Sequence, residues 1–404
     1  MNHPSTLVTL AEIEAARRRV GPVIHDTPVE SARSVSDIAG RSVLFKAEYR
    51  QRTGSFKIRG AFNRIVQLPA GVDVIAASAG NHAQGVALAA NLTGRRSTIY
   101  MPSGAALPKA DATRAYGATV RMVGHNLDDA IEAARIEADH CGAVLIPPFD
   151  DRDIIAGQGT LGLELADEAT DAQVVVVPVG GGGLLAGVAA ALAATSPGVR
   201  VVGVEAAGAP TLTAALAAGR PVSVESMATM ADGIAVGAVS ALTLAHVDAF
   251  VDEVVTVDEE EISRALLLLV ERTKAVVEPA AATALAAILA GRVGGNGQAV
   301  AVLSGGNVDP LLLTKLIHHG LAAAGRYLVL RVIIDDRPGA LASLTAELAQ
   351  HGVNVLEVGH HRSDRALDLS EVEVQVTVET RNETQHREII DALTTSGYRV
   401  ESRG

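Results

Sequence analysis

The sequence predicts an α/β protein in which mostly parallel sheets are covered by helices and a smaller βαββαβ unit follows. Two patterns carry this. From about Ser42 to Ser304, short β-branched runs alternate with alanine-rich stretches of helical spacing. Continuous apolar strands between helices mean sheets buried on both faces. Beyond Gly325 the texture changes. Glu371–Thr380 alternates strictly, Val372, Val374, Val376 and Val378 against Glu371, Glu373, Gln375 and Thr377, as a sheet with one wet face requires.

The elements follow in order. Thr9-Leu10-Ala11-Glu12 has capping-box spacing and opens an amphipathic helix through Arg19. The runs Val74–Ala76, Ser97–Tyr100, Val174–Val179, Val199–Val204 and Ala299–Leu303 are predicted strands. Pro310–Gly325 is a helix leaving the α/β body. After it come a strand Tyr327–Ile334, a helix Pro338–His351 with Leu341, Leu344 and Leu348 on one face, and strands Asn354–Val358 and Glu371–Thr380. A helix Thr384–Ser396 and a strand Tyr398–Glu401 complete the ferredoxin-like order.

Composition bounds the function. With 404 residues, 48% hydrophobic and 20% charged, the chain is long enough for two or three folding units and is not disordered. A net charge of -12 without a Lys/Arg block makes the chain a poor candidate for nucleic acid, and no such partner is expected. The single Cys141 excludes an intramolecular disulfide and a cysteine-based zinc cluster, and fits a reducing compartment. No leader-like or bilayer-length apolar run is present, so the expectation is a soluble, cytoplasmic protein without a membrane partner.

Open α/β sheets bind ligands outside the carboxyl ends of their strands, and four loops there stand out. Thr53-Gly54-Ser55-Phe56-Lys57-Ile58-Arg59-Gly60 places a lysine among apolar residues. Burial would lower its pKa and make it a nucleophile or base, although a solvated surface lysine has the same sequence. Ser78-Ala79-Gly80-Asn81-His82 combines small residues with a helix start whose amides can hold a carboxylate; an ordinary capped turn is the alternative. Gly180-Gly181-Gly182-Gly183-Leu184 ends a strand and opens a helix. Four glycines exceed what a tight turn needs and leave amides bare for a phosphate. Ser304-Gly305-Gly306-Asn307 offers a hydroxyl that either caps a helix or meets a heteroaromatic nitrogen.

Together the loops supply an amine, a phosphate cradle, a carboxylate clamp and a partner for a ring nitrogen, the inventory for pyridoxal 5'-phosphate with an amino-acid substrate. With these four ordered motifs, the stretch from about Leu10 to Leu313 resembles the threonine dehydratases of the fold-type II pyridoxal-phosphate enzymes. The resemblance implies a two-lobed catalytic domain over residues 1–320, its smaller lobe (about 45–155) inserted in the larger. It implies that Lys57 bonds the cofactor and serves as base at Cα, that Phe56 packs beside the ring, and that Asn81 meets the ring's 3-oxygen. Ser78, Ala79, Gly80, Asn81 and His82 would hold the substrate carboxylate, Gly180 to Gly183 and Leu184 the phosphate, and Ser304 the pyridine nitrogen. Glu278 matches a family carboxylate near the ring, or is simply an acid favoured at a helix start. The implied activity is dehydration and deamination of L-threonine to 2-oxobutanoate and ammonia, with L-serine as a secondary substrate. A serine-preferring dehydratase, another β-elimination enzyme and a non-catalytic pyridoxal-phosphate sensor are the alternatives. Related serine racemases carry a serine as second acid/base where this chain has Ala79, and a methyl group donates no proton; negligible racemisation is expected.

No divalent metal site is expected, and a monovalent ion held by carbonyls stays open. Glu205 is followed by Ala206 to Leu212 without a second acid, and His318-His319 and His360-His361 lack i,i+4 spacing. In the C-terminal part, Asp335-Asp336-Arg337-Pro338-Gly339-Ala340-Leu341, with Asn354 after the helix, resembles the ACT amino-acid-sensing fold over residues 327–404. That resemblance implies an amino-acid effector, isoleucine or valine, held by Asp336, Pro338, Gly339, Leu341 and Asn354. It also implies a homo-oligomer, a tetramer. A ferredoxin-like module that only oligomerises is the alternative.

Overall fold

The valine- and alanine-rich runs form two sheets in the first of two structural units, residues 1–313. The computed structural model describes residues 7–361, 368 and 370–403. The large sheet runs in the order Val29–Ser31, Val43–Lys46, Ala299–Val302, Val174–Pro178, Arg200–Ala206, Glu253–Val257; the first pair is antiparallel and the rest parallel. The small sheet, in the order Thr119–Met122, Ser97–Met101, Val74–Ala77, Val144–Leu145, is wholly parallel. Its strands lie in the chain between Val43–Lys46 and Val174–Pro178 of the large sheet. Central strands are apolar on both faces because helices cover both: Val174–Pro178 and Ala299–Val302 are buried throughout. The helices Gly183–Thr195 and Pro279–Leu289 are correspondingly apolar around most of their circumference.

The N-terminal helix spans Leu10–Val20, its capping box closed by Thr9 and Glu12. Four strands had no clear sequence signal: Val29–Ser31, Thr119–Met122, Val144–Leu145 and Glu253–Val257. They are short and none is fully buried, so neither a long apolar run nor a clean alternation marks them. Among the described residues, no helix is long and apolar enough to cross a membrane.

The second unit, residues 314–404, is a four-stranded antiparallel sheet in the order Asn354–His361, Glu371–Glu379, Tyr327–Asp335, Arg399–Arg403, with helices Ala340–Gln350 and Glu383–Thr395. Leu328, Leu330, Val332 and Ile334 alternate inward and meet Val372, Val374, Val376, Val378, Leu344, Leu348, Ile389 and Leu393. The first helix begins at Ala340 and not at Pro338, because Gly339 has left-handed backbone (φ 92°) and ends the preceding turn. The strand from Asn354 continues to His361 through an irregularity between Val355 and Glu357. The helix Pro310–Ala323 carries the chain from one unit into the next.

Candidate active site

Lys57 is the first residue of helix Lys57–Ile65. The chain before it is pinned to the Ser304 loop by a bridge between Ser55 and Gly305 and by Phe56 N donating to Ser304 O at 3.1 Å. Lys57 Nζ donates to Pro148 O at 3.0 Å and stands 5.2 Å from the centre of the Phe56 ring. Burial lowers its pKa to about 8, with the Glu278 carboxylate pulling the other way. A helix start also disfavours an ammonium. The amine is therefore ionisable near neutrality, as a nucleophile and base must be.

A chain of side chains runs beside it. Asn81 Nδ2 donates to Glu278 Oε1 at 2.7 Å, and Asn307 Nδ2 donates to Asn81 Oδ1 at 2.8 Å and to Thr53 O at 2.7 Å. Glu278, weighed as a carboxylate near the ring or as a helix-start acid, has Asn81 as its partner. It occupies the cap position of helix Pro279–Leu289 but makes no side-chain capping bond; its carboxylate is turned to Asn81. Burial above all, and Asp232 next, push its pKa up to about 7, against Lys109, Asn81 and Lys57. Gly305 is required at the crossing, since a methyl group there would collide with Glu278 Oε1.

Ser78 and its neighbours follow the strand Val74–Ala77 and lead into helix Asn81–Leu92. Ser78 Oγ accepts from Gly80 N at 3.1 Å, while Ala79 and Gly80 are half-buried. The first-turn amides of this helix have no intrahelical acceptors. His82 is buried, and its Nε2 lies 2.9 Å from Ile146 O, so that nitrogen carries the proton. Burial, and Lys57 nearby, depress its pKa to about 3; the ring is neutral at physiological pH.

The glycine loop lies at the end of strand Val174–Pro178, where Gly182 has φ 87° and helix Gly183–Thr195 begins. Gly181 to Leu184 are buried. Among the described residues, no amide from Gly180 to Leu184 donates a hydrogen bond; the first to do so is Ala186, to Gly182 O. The Phe149 ring lies against this loop so closely that a methyl group at Gly181 would run into it. Buried amides without acceptors at a helix start suit a phosphate. The buried Ser304, the second N–H of Asn81 and the low-pKa amine complete a donor set that fits pyridoxal phosphate.

The fold thus brings Phe56, Lys57, Ser78 to His82, Gly180 to Leu184, Glu278 and Ser304 to one region, at or near the carboxyl ends of strands. Sequence reasoning missed Pro148, Phe149 and the ion pair Lys109–Asp232, and quoted Thr53 without giving it a role. Asn307 lay within a quoted motif without a role. It also missed a buried charge network beneath the lysine helix. Arg59 pairs with Glu48 at 2.8 Å and Glu164 at 2.6 Å, and Lys46 with Glu164 at 2.8 Å. A signal existed: Arg59 stands within a predominantly apolar stretch two residues after Lys57.

Glu205, weighed as a metal ligand, is buried and accepts hydrogen bonds from Leu212 N at 2.6 Å and Thr213 N at 2.9 Å, at the start of helix Thr211–Ala218. In the second unit, Asp336, Pro338, Gly339 and Leu341 share a recess of about 480 Å³ with Ile334, Asp335, Arg337 and His360. Asn354 is not with them. It is paired with Glu379, at the opposite end of the sheet from Asp335, and lines another recess with Arg326, Thr380, Arg381 and Gln385.

Residues 20–305 match the family model of pyridoxal-phosphate dependent enzymes, and residues 328–394 match the ACT domain. The chain is 43% identical to the L-threonine ammonia-lyase of Thermotoga maritima over 98% of its length and 99% of that protein's. It is 44% identical to the L-threonine ammonia-lyase of Geobacter sulfurreducens, with the same coverage. The crystal structure of a T.th. threonine deaminase superposes with a TM-score of 0.71 at 42% identity, covering 74% of this chain and 99% of that one. By its matched residues, its fold and its lysine-centred donor set, the chain belongs to the pyridoxal-phosphate dependent enzyme family and carries an ACT domain in its C-terminal part.

Proposed function

We propose that this protein is an L-threonine ammonia-lyase, converting L-threonine to 2-oxobutanoate and ammonia, with L-serine to pyruvate as a secondary reaction. The observation that carries the reading is the Lys57 amine, brought near neutrality at the head of a helix and surrounded by the donor set described above. The near-full-length similarity to two L-threonine ammonia-lyases supports the substrate.

Pyridoxal phosphate, when bound, supplies a carbonyl carbon for amine nitrogen and a ring system that takes up the electron pair left at Cα. The chain's residues supply the rest. Gly180 to Leu184 would present amides to the phosphate, Ser304 its hydroxyl to the ring nitrogen, and Asn81 its remaining N–H to the ring oxygen. Ser78 to His82 hold the substrate carboxylate, which fixes the Cα–H bond toward Lys57. Lys57 removes that proton, the Cβ–O bond breaks, and the ammonium so formed returns the proton to the departing hydroxyl, which leaves as water. Water is taken up again when the nitrogen departs as ammonia, so the net change is loss of ammonia alone. A neutral hydroxyl at the ring nitrogen limits the ring's electron demand, which favours elimination over transamination.

The ACT domain supports an amino-acid effector, for which we propose isoleucine or valine at the recess around Pro338 and Gly339. The family resemblance supports a homotetramer.

The test is threonine turnover by purified holoenzyme beside Lys57→Ala, recording the visible absorbance of bound cofactor and 2-oxobutanoate together. Both signals are expected in the parent, with the lysine-linked band and turnover lost in the variant. A band without product from threonine, but with pyruvate from serine, would replace the substrate. A band without product from either would favour the sensor.

A further inference from the structure

Lys109 and Asp232 meet at 2.8 Å across the two lobes of the catalytic unit. Lys109 lies on helix Leu107–Ala115, between the small-sheet strands Ser97–Met101 and Thr119–Met122. Asp232 opens the short turn Asp232–Ile234, between the large-sheet strands Arg200–Ala206 and Glu253–Val257. The lysine side chain is 20% exposed and the aspartate 53%. Ion pairs this open add little to global stability, so their worth lies in what they position.

The Asp232–Ile234 turn touches two parts of the site. A methyl group on Gly233 would stand 3.7 Å from Glu278 Oε1, and one on Gly180 would stand 3.0 Å from Ile234 Cα. Three consecutive residues thus lie against the carboxylate bonded to Asn81 and against the first residue of the glycine loop. The other end of the pair belongs to the lobe that carries Ser78 to His82.

We propose that Lys109–Asp232 is a clasp between the lobes, and that both are positioning residues: the pair holds the Asp232–Ile234 turn against Glu278 and Gly180 and sets the gap between the Ser78–His82 loop and the large lobe. The inference rests on the proposed roles of those two regions. Electrostatics alone predicts a different pattern. Asp232 raises the Glu278 pKa while Lys109 lowers it, with Lys57 acting in the same sense as Lys109. Removing the two charges would then have opposite effects, whereas opening a clasp from either side has the same effect.

The experiment compares Lys109→Gln, Asp232→Asn, the double variant and Lys109→Arg as holoenzymes. Steady-state kinetics with L-threonine is read beside hydrogen–deuterium exchange of segments 107–115 and 230–236. Each single loss is expected to raise KM about fivefold to tenfold, with kcat within about twofold, and to speed exchange in both segments. The double variant should be no worse than either single one, and Lys109→Arg should stay within about twofold of the parent. Opposite changes from the two single variants, additive losses in the double variant, or unchanged exchange in both segments would overturn the clasp. Exchange needs no turnover: a parent inactive on threonine would sink the proposed reaction and leave the clasp to be judged by exchange alone.

Discussion

Lys57 can take a proton or bond a carbonyl carbon only as a neutral amine. At pH 7 an ordinary lysine is neutral in about 0.03% of molecules, whereas a pKa of about 8 makes that about 10%. The sign follows from burial, which disfavours the ammonium, so the neutral form appears at lower pH than usual. Capture of pyridoxal phosphate by cofactor-free protein, followed by visible absorbance, is expected to accelerate with pH and reach half its maximum near 8. A rate still climbing steeply beyond pH 10 would mean an ordinary lysine. The Glu278 carboxylate favours the ammonium form of Lys57, so removing its charge in Glu278→Gln should move the half-point lower. At this scale the sequence marked Lys57, Asn81 and Ser304, whose chemistry is in the side chain, and the glycine tetrad, whose lack of side chains bares the backbone. It could not mark Pro148, which contributes a backbone carbonyl, or Phe149, whose part is the contact it makes with Gly181.

The helix that presents Lys57 is anchored from below. Arg59 has no exposed side-chain surface and forks onto both oxygens of Glu48 and of Glu164. Thr27 donates to Glu48. Burial alone would lower the Arg59 pKa, but the two carboxylates hold it above its ordinary value. Removing Arg59 leaves the buried Glu48 carboxylate without its cation, while Glu164 keeps Lys46, and breaking such a buried pair costs about 3–5 kcal/mol. Arg59→Met is expected to lose about that much in urea unfolding of the holoenzyme, and Arg59→Lys, which keeps the charge without the fork, to fall between. A methionine variant as stable as the parent would show that the network is dispensable. Strands and helices with long apolar runs were legible in the sequence. The ion network was not, because Glu164 lies 105 residues beyond Arg59 in the chain, and the packing of helices Lys57–Ile65 and Arg152–Glu168 brings it to Arg59. Another feature without a sequence signal is the π-helical stretch Leu269–Thr273, followed by Lys274 at φ 61°, four residues before Glu278; such stretches recur at functional sites.

Across the whole molecule, the chain joins an α/β unit whose polar residues gather at strand ends to a second unit with a core of its own. The order of elements in both was readable because periodicity changes abruptly at the border, from buried parallel strands to strict alternation. A grouping of loop residues was less readable, and Asn354 shows why. The ACT resemblance placed it with Pro338 and Gly339, but within one chain the nine-residue antiparallel strand Glu371–Glu379 spans the distance between the two ends of the sheet. The recess at Asp336 to Leu341 therefore makes a specific prediction for effector binding. Gly339 has left-handed backbone with φ 92°, so Gly339→Val strains the turn that shapes the recess. Titration calorimetry of isoleucine or valine into the holoenzyme is expected to show binding in the parent and at least about a fivefold loss in this variant, because the strain costs on the order of 1–3 kcal/mol. The cofactor's visible band reports that the catalytic unit remains folded. Asn354→Ala is expected to keep binding within about twofold, since substitutions at independent sites leave one another's effects almost unchanged. Equal losses in both variants would mean that one protomer's recess is not the whole site and that Asn354 of a second copy closes it.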